Sequence, residues 1–138
     1  MSCSNISALC TDLFKAGKSK YDSESLKKLL TDESRLIFVA ADENDRVLGY
    51  IFCIIIDHFA DSARCPNTEL YIDDLCVDEN FRREGIGDAL FKKALSTAQK
   101  LGCHNLTLNV WEGNDSALRF YEKHGMKIQK RELEIVLD

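Results

Sequence analysis

The residues Arg82-Arg83-Glu84-Gly85-Ile86-Gly87 follow a strand-like run at 70–77 and lead, through Asp88, into a helix-like run that ends near 101. A glycine-rich turn entering a helix aims unpaired backbone N–H groups and the positive end of the helix dipole at one spot, which suits a phosphate. A side chain at Gly85 or Gly87 would obstruct that close approach. A dinucleotide-binding turn requires a third glycine where this chain has Leu90, and a Walker loop requires a Gly-Lys-Ser/Thr that does not follow. Arg82 and Arg83 supply positive charge beside the turn.

Two further sets of residues could do chemistry. Asn114, Ala117 or Leu118, and Tyr121 recur at i, i+3 or i+4, and i+7, so one side of a helix presents all three. A Phe120-Tyr121 pair at this spacing reads as core packing or as a placed phenol, and Asn114 reads as a helix cap, a ligand contact, or both. The second set is acidic. Asp73 shares a strand face with Glu69 and Tyr71 by the two-residue period, whereas Asp74 points to the opposite face unless the strand bulges. These acids either solvate a strand end or hold a proton-accepting position.

Elements that could position these groups are legible along the chain. Residues 23–30 read as a short helix with Asp22 or Ser23 as its cap. Strands at 36–41 and 46–57 are joined by Asp42-Glu43-Asn44-Asp45, a polar hairpin loop. Residues 57–68 form a loop containing the only proline. After the strand at 70–77, a helix over 85–101 places Ile86, Leu90, Ala94, Leu95, Ala98 and Leu101 near one face and stops at Gly102. A strand at 105–110, a helix at 115–124 stopped by Gly125, and a last strand at 127–137 complete the order. Strand, helix, strand over 70–110 predicts a right-handed crossover between parallel neighbours, with antiparallel strands flanking it. The expected class is α/β with a mixed sheet, in one domain over residues 1–138.

Arg82-x-x-Gly85-x-Gly87 after Leu75-Cys76-Val77-Asp78, then Asn114-x-x-Ala117-x-x-Phe120-Tyr121-x-x-x-Gly125, resembles the GCN5-related N-acetyltransferase family. The likeness covers residues 36–138 well and the first thirty poorly. It implies the family's three-layer fold, in which two neighbouring parallel strands splay into a slot for the pantetheine arm of acetyl-coenzyme A. Those strands would be 70–77 and 105–110. It also implies that the coenzyme is held by Leu75, Cys76 and Val77, by the loop Arg82, Arg83, Glu84, Gly85, Ile86, Gly87 and Asp88, and by Asn114, Ala117 and Tyr121. Tyr121 would protonate the leaving thiol. Asp73, directly or through water, would take the amine proton; the position used by some relatives on the next strand is Asn109 here, which cannot act as a base. Backbone N–H groups near Leu75–Val77 would face the oxyanion if the strand bulges. Trp111, His58 and Tyr71 are candidates for the acceptor pocket, or rim and core residues; His104 and His124 are surface or packing residues.

One departure from the family concerns residues 1–20, where the usual first strand has no evident counterpart; it is missing or replaced by a degenerate segment at 6–14. A missing strand would leave the 36–41 strand with an exposed edge, from which a homodimer or reduced stability would follow. The functional expectation is transfer of an acetyl group from acetyl-coenzyme A to a primary amine of a small molecule or protein. A module that binds the coenzyme without turnover is the second reading.

Composition narrows the rest. The chain has 138 residues, 45% hydrophobic and 30% charged, enough for one ordinary core. A net charge of −5 argues against nucleic acid as partner and is accounted for by solubility or by a cationic acceptor. No apolar stretch approaches the roughly 20 residues of a membrane span. Six cysteines without a C-x-x-C pair or a secretory signal predict reduced thiols in a cytoplasmic protein and no zinc site. Cys53 and Cys76 would pack as small hydrophobes.

Overall fold

A computed structural model of the chain describes Glu24 and residues 31–58 and 68–137. The expectations for residues 1–20, for Cys3, Cys10 and Cys65, and for most of the 57–68 loop lie outside these. So does the predicted 23–30 helix apart from Glu24, which is helical.

The β-branched and aromatic runs form four strands, β1 (Arg35–Ala41), β2 (Val47–Asp57), β3 (Thr68–Val77) and β4 (Asn105–Leu108). They lie side by side in the order β1-β2-β3-β4. The first two pairings are antiparallel and the last is parallel, so the sheet is mixed as predicted. The β1–β2 hairpin closes where expected. Asp42 accepts the N–H groups of Asn44 and Arg46 at 2.8 and 3.0 Å, and Asp45 adopts φ 60°.

Between β3 and β4 runs helix α1 (Ile86–Lys100), the crossover that lets the two strands be parallel. Its buried residues are Leu90, Phe91, Ala94 and Ala98. Leu95 and Leu101, predicted for the same face, are exposed, and Phe91 takes the place in the core that they leave. Together with Ile51, Cys53, Leu70 and Ile72 these residues form the core of the sheet. Cys53 is one of three free thiols among the described residues, and burial pushes its pKa up to about 12.

The chain divides into two compact units after Leu108. The second contains helix α2 (Asp115–Lys123), which has no buried residue. Gly125 ends it at φ 93°, a conformation open to glycine. Gly125 N–H bonds to Glu122 O at 2.9 Å and Met126 N–H to Tyr121 O at 3.1 Å, which closes the helix end.

Two expectations fail here. The strand predicted at 105–110 stops at Leu108, and the strand predicted at 127–137 does not form. A strand pattern supplies one side of a ladder only, and residues 127–137 are assigned no secondary structure.

Candidate active site

The candidate phosphate cradle lies in the first unit, from the end of β3 to the start of α1. Two contacts anchor its approach. Asp78 N–H bonds to Leu48 O of β2 at 2.8 Å, and the Arg46 guanidinium lies 5.0 Å from the centre of the Phe81 ring. A short 3-10 turn, Glu79–Phe81, is capped by the Asp78 carboxylate, which accepts from Asn80 N–H at 3.0 Å. Arg82, Arg83, Glu84 and Gly85 are then exposed, while Ile86, Gly87 and Asp88 are half-buried.

Gly85 occupies the helix N-cap position with φ 79° and ψ 11° and contributes no side-chain cap. Its carbonyl accepts the first helical bond, from Ala89 N–H at 3.0 Å. The first-turn amides thus lack the Ser, Thr or Asp cap that usually occupies them, which is the arrangement an anion replaces. Arg83 is left-handed too, at φ 68°. A non-glycine residue there costs about 1–2 kcal/mol, and such strain recurs where backbone is shaped for a ligand. Asp88, the acid in the first turn, is paired to Lys92 at 2.8 Å, which offsets its charge beside the cradle.

Gly49 decides how close this helix start comes to the sheet. A Cβ on Gly49 would lie 2.8 Å from Cys76 O and 3.3 Å from Ile86 Cγ2 and Leu90 Cδ1. The sequence marks Gly49 only as an interruption in an apolar strand. Its function is to seat the first turn of α1 against β2 and the end of β3, and the bare signal was a glycine inside a strand pattern.

Strand β3 has an irregularity that the sequence left conditional. Phe52 pairs with Asp74 and Cys53 with Ile72, so Asp73 is the extra residue of a β-bulge. The bulge changes the alternation. Beyond it Leu75 and Val77 pair with Ile51 and Gly49, on the α1 side, and Asp74 falls on the face of Phe52 and Tyr50. That face also bears Glu69 and Tyr71, so Asp74 joins them instead of pointing away. Asp73 has its carboxylate 3.8 Å from Arg35 Nη1, with its side chain 11% exposed. Asp74 Oδ2 accepts the hydroxyl of the fully buried Tyr50 at 3.1 Å. Two adjacent carboxylates therefore have different partners, a guanidinium and a phenol.

The same bulge coincides with the end of the β3–β4 ladder. Parallel pairing runs from Glu69↔Asn105 to Ile72↔Leu108 and stops, while β3 continues with β2 to Val77. From Asp73 onward β3 has no ladder partner on its β4 side among the described residues. Leu75, Cys76 and Val77, all half-buried, lie along this open stretch. Below it, Glu69 ties the two strands together, accepting from Thr107 Oγ1 at 2.6 Å and lying within hydrogen-bond distance of His58 Nε2.

Within the second unit, Asn114 caps α2, accepting Ala117 N–H at 3.3 Å. Ala117 and Tyr121 are half-buried on that helix. Tyr121 contacts Phe120 edge to face at 5.2 Å, and the His124 ring packs on Phe120 at 4.6 Å with Nδ1 2.8 Å from its carbonyl oxygen. Trp111, a candidate for the acceptor pocket, is 89% exposed.

A mixed sheet whose parallel β3–β4 ladder stops short of the end of β3, followed by a glycine-rich entry into α1, defines an α/β fold of the acetyltransferase type. The model of the Acetyltransferase (GNAT) family matches residues 4–126, and the chain belongs to that family. YwnH of Bacillus subtilis (strain 168) is 32% identical over 93 residues, covering 67% of this chain and 54% of YwnH. Glucosamine 6-phosphate N-acetyltransferase of Trypanosoma brucei brucei is 27% identical, over 67% of this chain and 58% of the relative. The chain thus spans between half and three fifths of the length of these curated relatives. Among solved structures, an aminoglycoside acetyltransferase from an uncultured soil metagenomic sample superposes with a TM-score of 0.72 at 27% identity, covering 94% of this chain and 86% of that one.

Proposed function

We propose that the protein is an N-acetyltransferase that moves the acetyl group of acetyl-coenzyme A to a primary amine of a small molecule or a protein. One observation carries the reading: the β3–β4 ladder ends at Ile72↔Leu108, beside the bulge at Asp73, while β3 runs on to Val77 and the chain then turns through Glu79–Phe81 into the uncapped start of α1. A thioester arm can add to the open edge of β3 while its diphosphate meets the amides of Gly85, Ile86 and Gly87. Arg82 and Arg83 supply charge for the phosphates, and Asn114 and Ala117 line the coenzyme from α2 as the family motif assigns.

In this reaction the amine, with a reference pKa of about 10.4, first gives its proton to Asp73 or to a water that Asp73 holds. The free nitrogen attacks the carbonyl carbon and the C–N bond forms. Backbone N–H groups at Leu75–Val77 stabilise the oxyanion. As it collapses the C–S bond breaks, and Tyr121 protonates the sulfur, whose thiol has a reference pKa near 8.5. The acidic face of Glu69, Tyr71, Asp73 and Asp74 supports a cationic acceptor. Reduced thiols support a cytoplasmic setting. Among the described residues no helix is long and apolar enough to cross a membrane.

Thiol release from acetyl-coenzyme A, measured against a panel of amino sugars, aminoglycosides and lysine or N-terminal peptides, tests the reading. Turnover is expected with at least one class, and Tyr121→Phe should lower kcat by about 10²-fold or more with a small change in KM for the coenzyme. Tight coenzyme binding without turnover on the whole panel would instead identify a binding module.

A further inference from the structure

The carboxylate at the β3 bulge is met by a cation from a strand that does not touch β3. Arg35 opens β1, and its register partner on β2 is Ile54, which in turn pairs with Tyr71 of β3. β1 and β3 are therefore two strand spacings apart, about 9.5 Å. Only a long side chain spans that gap. The Arg35 guanidinium does so, with Nη1 3.8 Å from Asp73 Oδ2. Asp73 is the residue that the β2–β3 register skips, so the ladder alone does not set the direction of its side chain.

The guanidinium is anchored at its other end. Nε lies 3.4 Å from Asp32 Oδ2, and Arg35 N–H bonds to Asp32 O at 3.1 Å. Asp32 Oδ1 accepts the N–H and the hydroxyl of Ser34, at 2.9 and 2.6 Å. The Ser34 bonds first, and then the charge of Arg35, hold the Asp32 carboxyl below the usual carboxylate range. A short turn ahead of β1 thus delivers a fixed guanidinium over β2 to the bulge. The Arg35 side chain is 27% exposed and that of Asp73 11%, so the pair is less screened than one on the open surface.

We propose, resting on the acetyl-transfer reading with Asp73 as base, that Arg35 is a positioning residue for the reaction: it holds Asp73 Oδ2 and so orients the carboxylate that receives the amine proton. An aspartate at a bulge has several rotamers open to it, and an ion pair with an anchored, planar guanidinium narrows them. Arg35 acts through Asp73 and not through Asp74, whose Oδ2 accepts the Tyr50 hydroxyl from β2.

Steady-state thiol release by the full chain, with the amine that turns over best in the panel above, tests this role. Arg35→Gln should lower kcat by about tenfold or more while KM for acetyl-coenzyme A changes by less than about twofold. Arg35→Lys, which keeps a cation on a long stem, should recover part of that loss. Beside Asp73→Asn, Arg35→Gln should cost less than about twofold, because the carboxylate it orients is gone; beside Asp74→Asn it should cost its full factor. An Arg35→Gln enzyme with wild-type kcat, no recovery in Arg35→Lys, or losses that multiply in the Arg35/Asp73 double variant would each overturn this proposal and leave acetyl transfer standing. Full kcat in Asp73→Asn would overturn it together with the choice of base. A wild type without turnover on any amine would overturn it together with the acetyl-transfer reading. If Arg35→Gln fails to fold, the same cycle is read with Arg35→Lys, whose smaller loss must also vanish beside Asp73→Asn.

Discussion

The stretch from β1 to β4 and the stretch after Leu108 contain functional motifs of equal clarity in sequence, yet they differ in how they are held. Around the cradle several determinants have a packing reason: Gly49 under the first turn of α1, Phe81 under Arg46, and Leu90, Phe91, Ala94 and Ala98 in the core. Helix α2 has well-formed ends and an Asn114 cap but not one buried residue. Local hydrogen bonding completes a helix; it does not by itself provide a core, since helical stability in proteins comes mainly from burying an apolar face. The first region should consequently answer to steric and packing changes, and the second to changes in chemistry or association.

The largest effect that would break this contrast lies at the cradle. Gly87→Val should remove coenzyme binding while leaving the fold intact, because the defect is steric at the diphosphate. Losing two charge-assisted bonds at roughly 1.5–3 kcal/mol each corresponds to about 10²-fold weaker affinity or more. Isothermal calorimetry with coenzyme A reads this directly, and an unchanged Kd would show that the anion binds elsewhere.

A smaller effect sharpens the assignment within β3. Asp73→Asn and Asp74→Asn should separate the two carboxylates that the bulge brings to one face. If Asp73 is the base, its variant loses about 10²-fold in kcat and the acidic limb of the pH–rate profile. Asp74→Asn, which keeps an acceptor for the Tyr50 hydroxyl, should cost much less. The reverse ranking would transfer the role to Asp74.

The smallest effect concerns packing alone. Gly49→Ala forces a Cβ against Cys76 O and should destabilise the protein by about 1–3 kcal/mol. Calorimetric Tm should fall by several degrees, and coenzyme affinity should fall with it as the start of α1 is displaced. A drop in Tm with unchanged affinity would separate the seating of the helix from the shape of the cradle.

Much of this architecture was legible without coordinates. The strand–loop–helix order around Gly85 and Gly87, the hairpin at Asp42–Asp45 and the α2 cap at Asn114 depend on neighbours in the chain, and short-range rules describe them well. The bulge was not legible, because it depends on which residues of β2 and β3 come opposite one another. Its consequence for Asp74 was equally hidden, since alternation read along one strand assumes an uninterrupted ladder. Phe91 is buried while Leu95 and Leu101 are exposed, because a helix's apolar arc is wider than the strip its partner covers. The tail at 127–137 shows the strongest separation between pattern and outcome.

Residue order by itself determined which segments can be helix or strand and where an anion could be held, because dihedral preferences, glycine placement and side-chain period act over a few residues. Tertiary structure alone decided that the β3–β4 ladder ends at Ile72↔Leu108 and that Asp73 and Asp74 acquire Arg35 and Tyr50 as partners. Those outcomes require two distant pieces of backbone to meet in one register, and the free energy of that meeting is not a property of either piece.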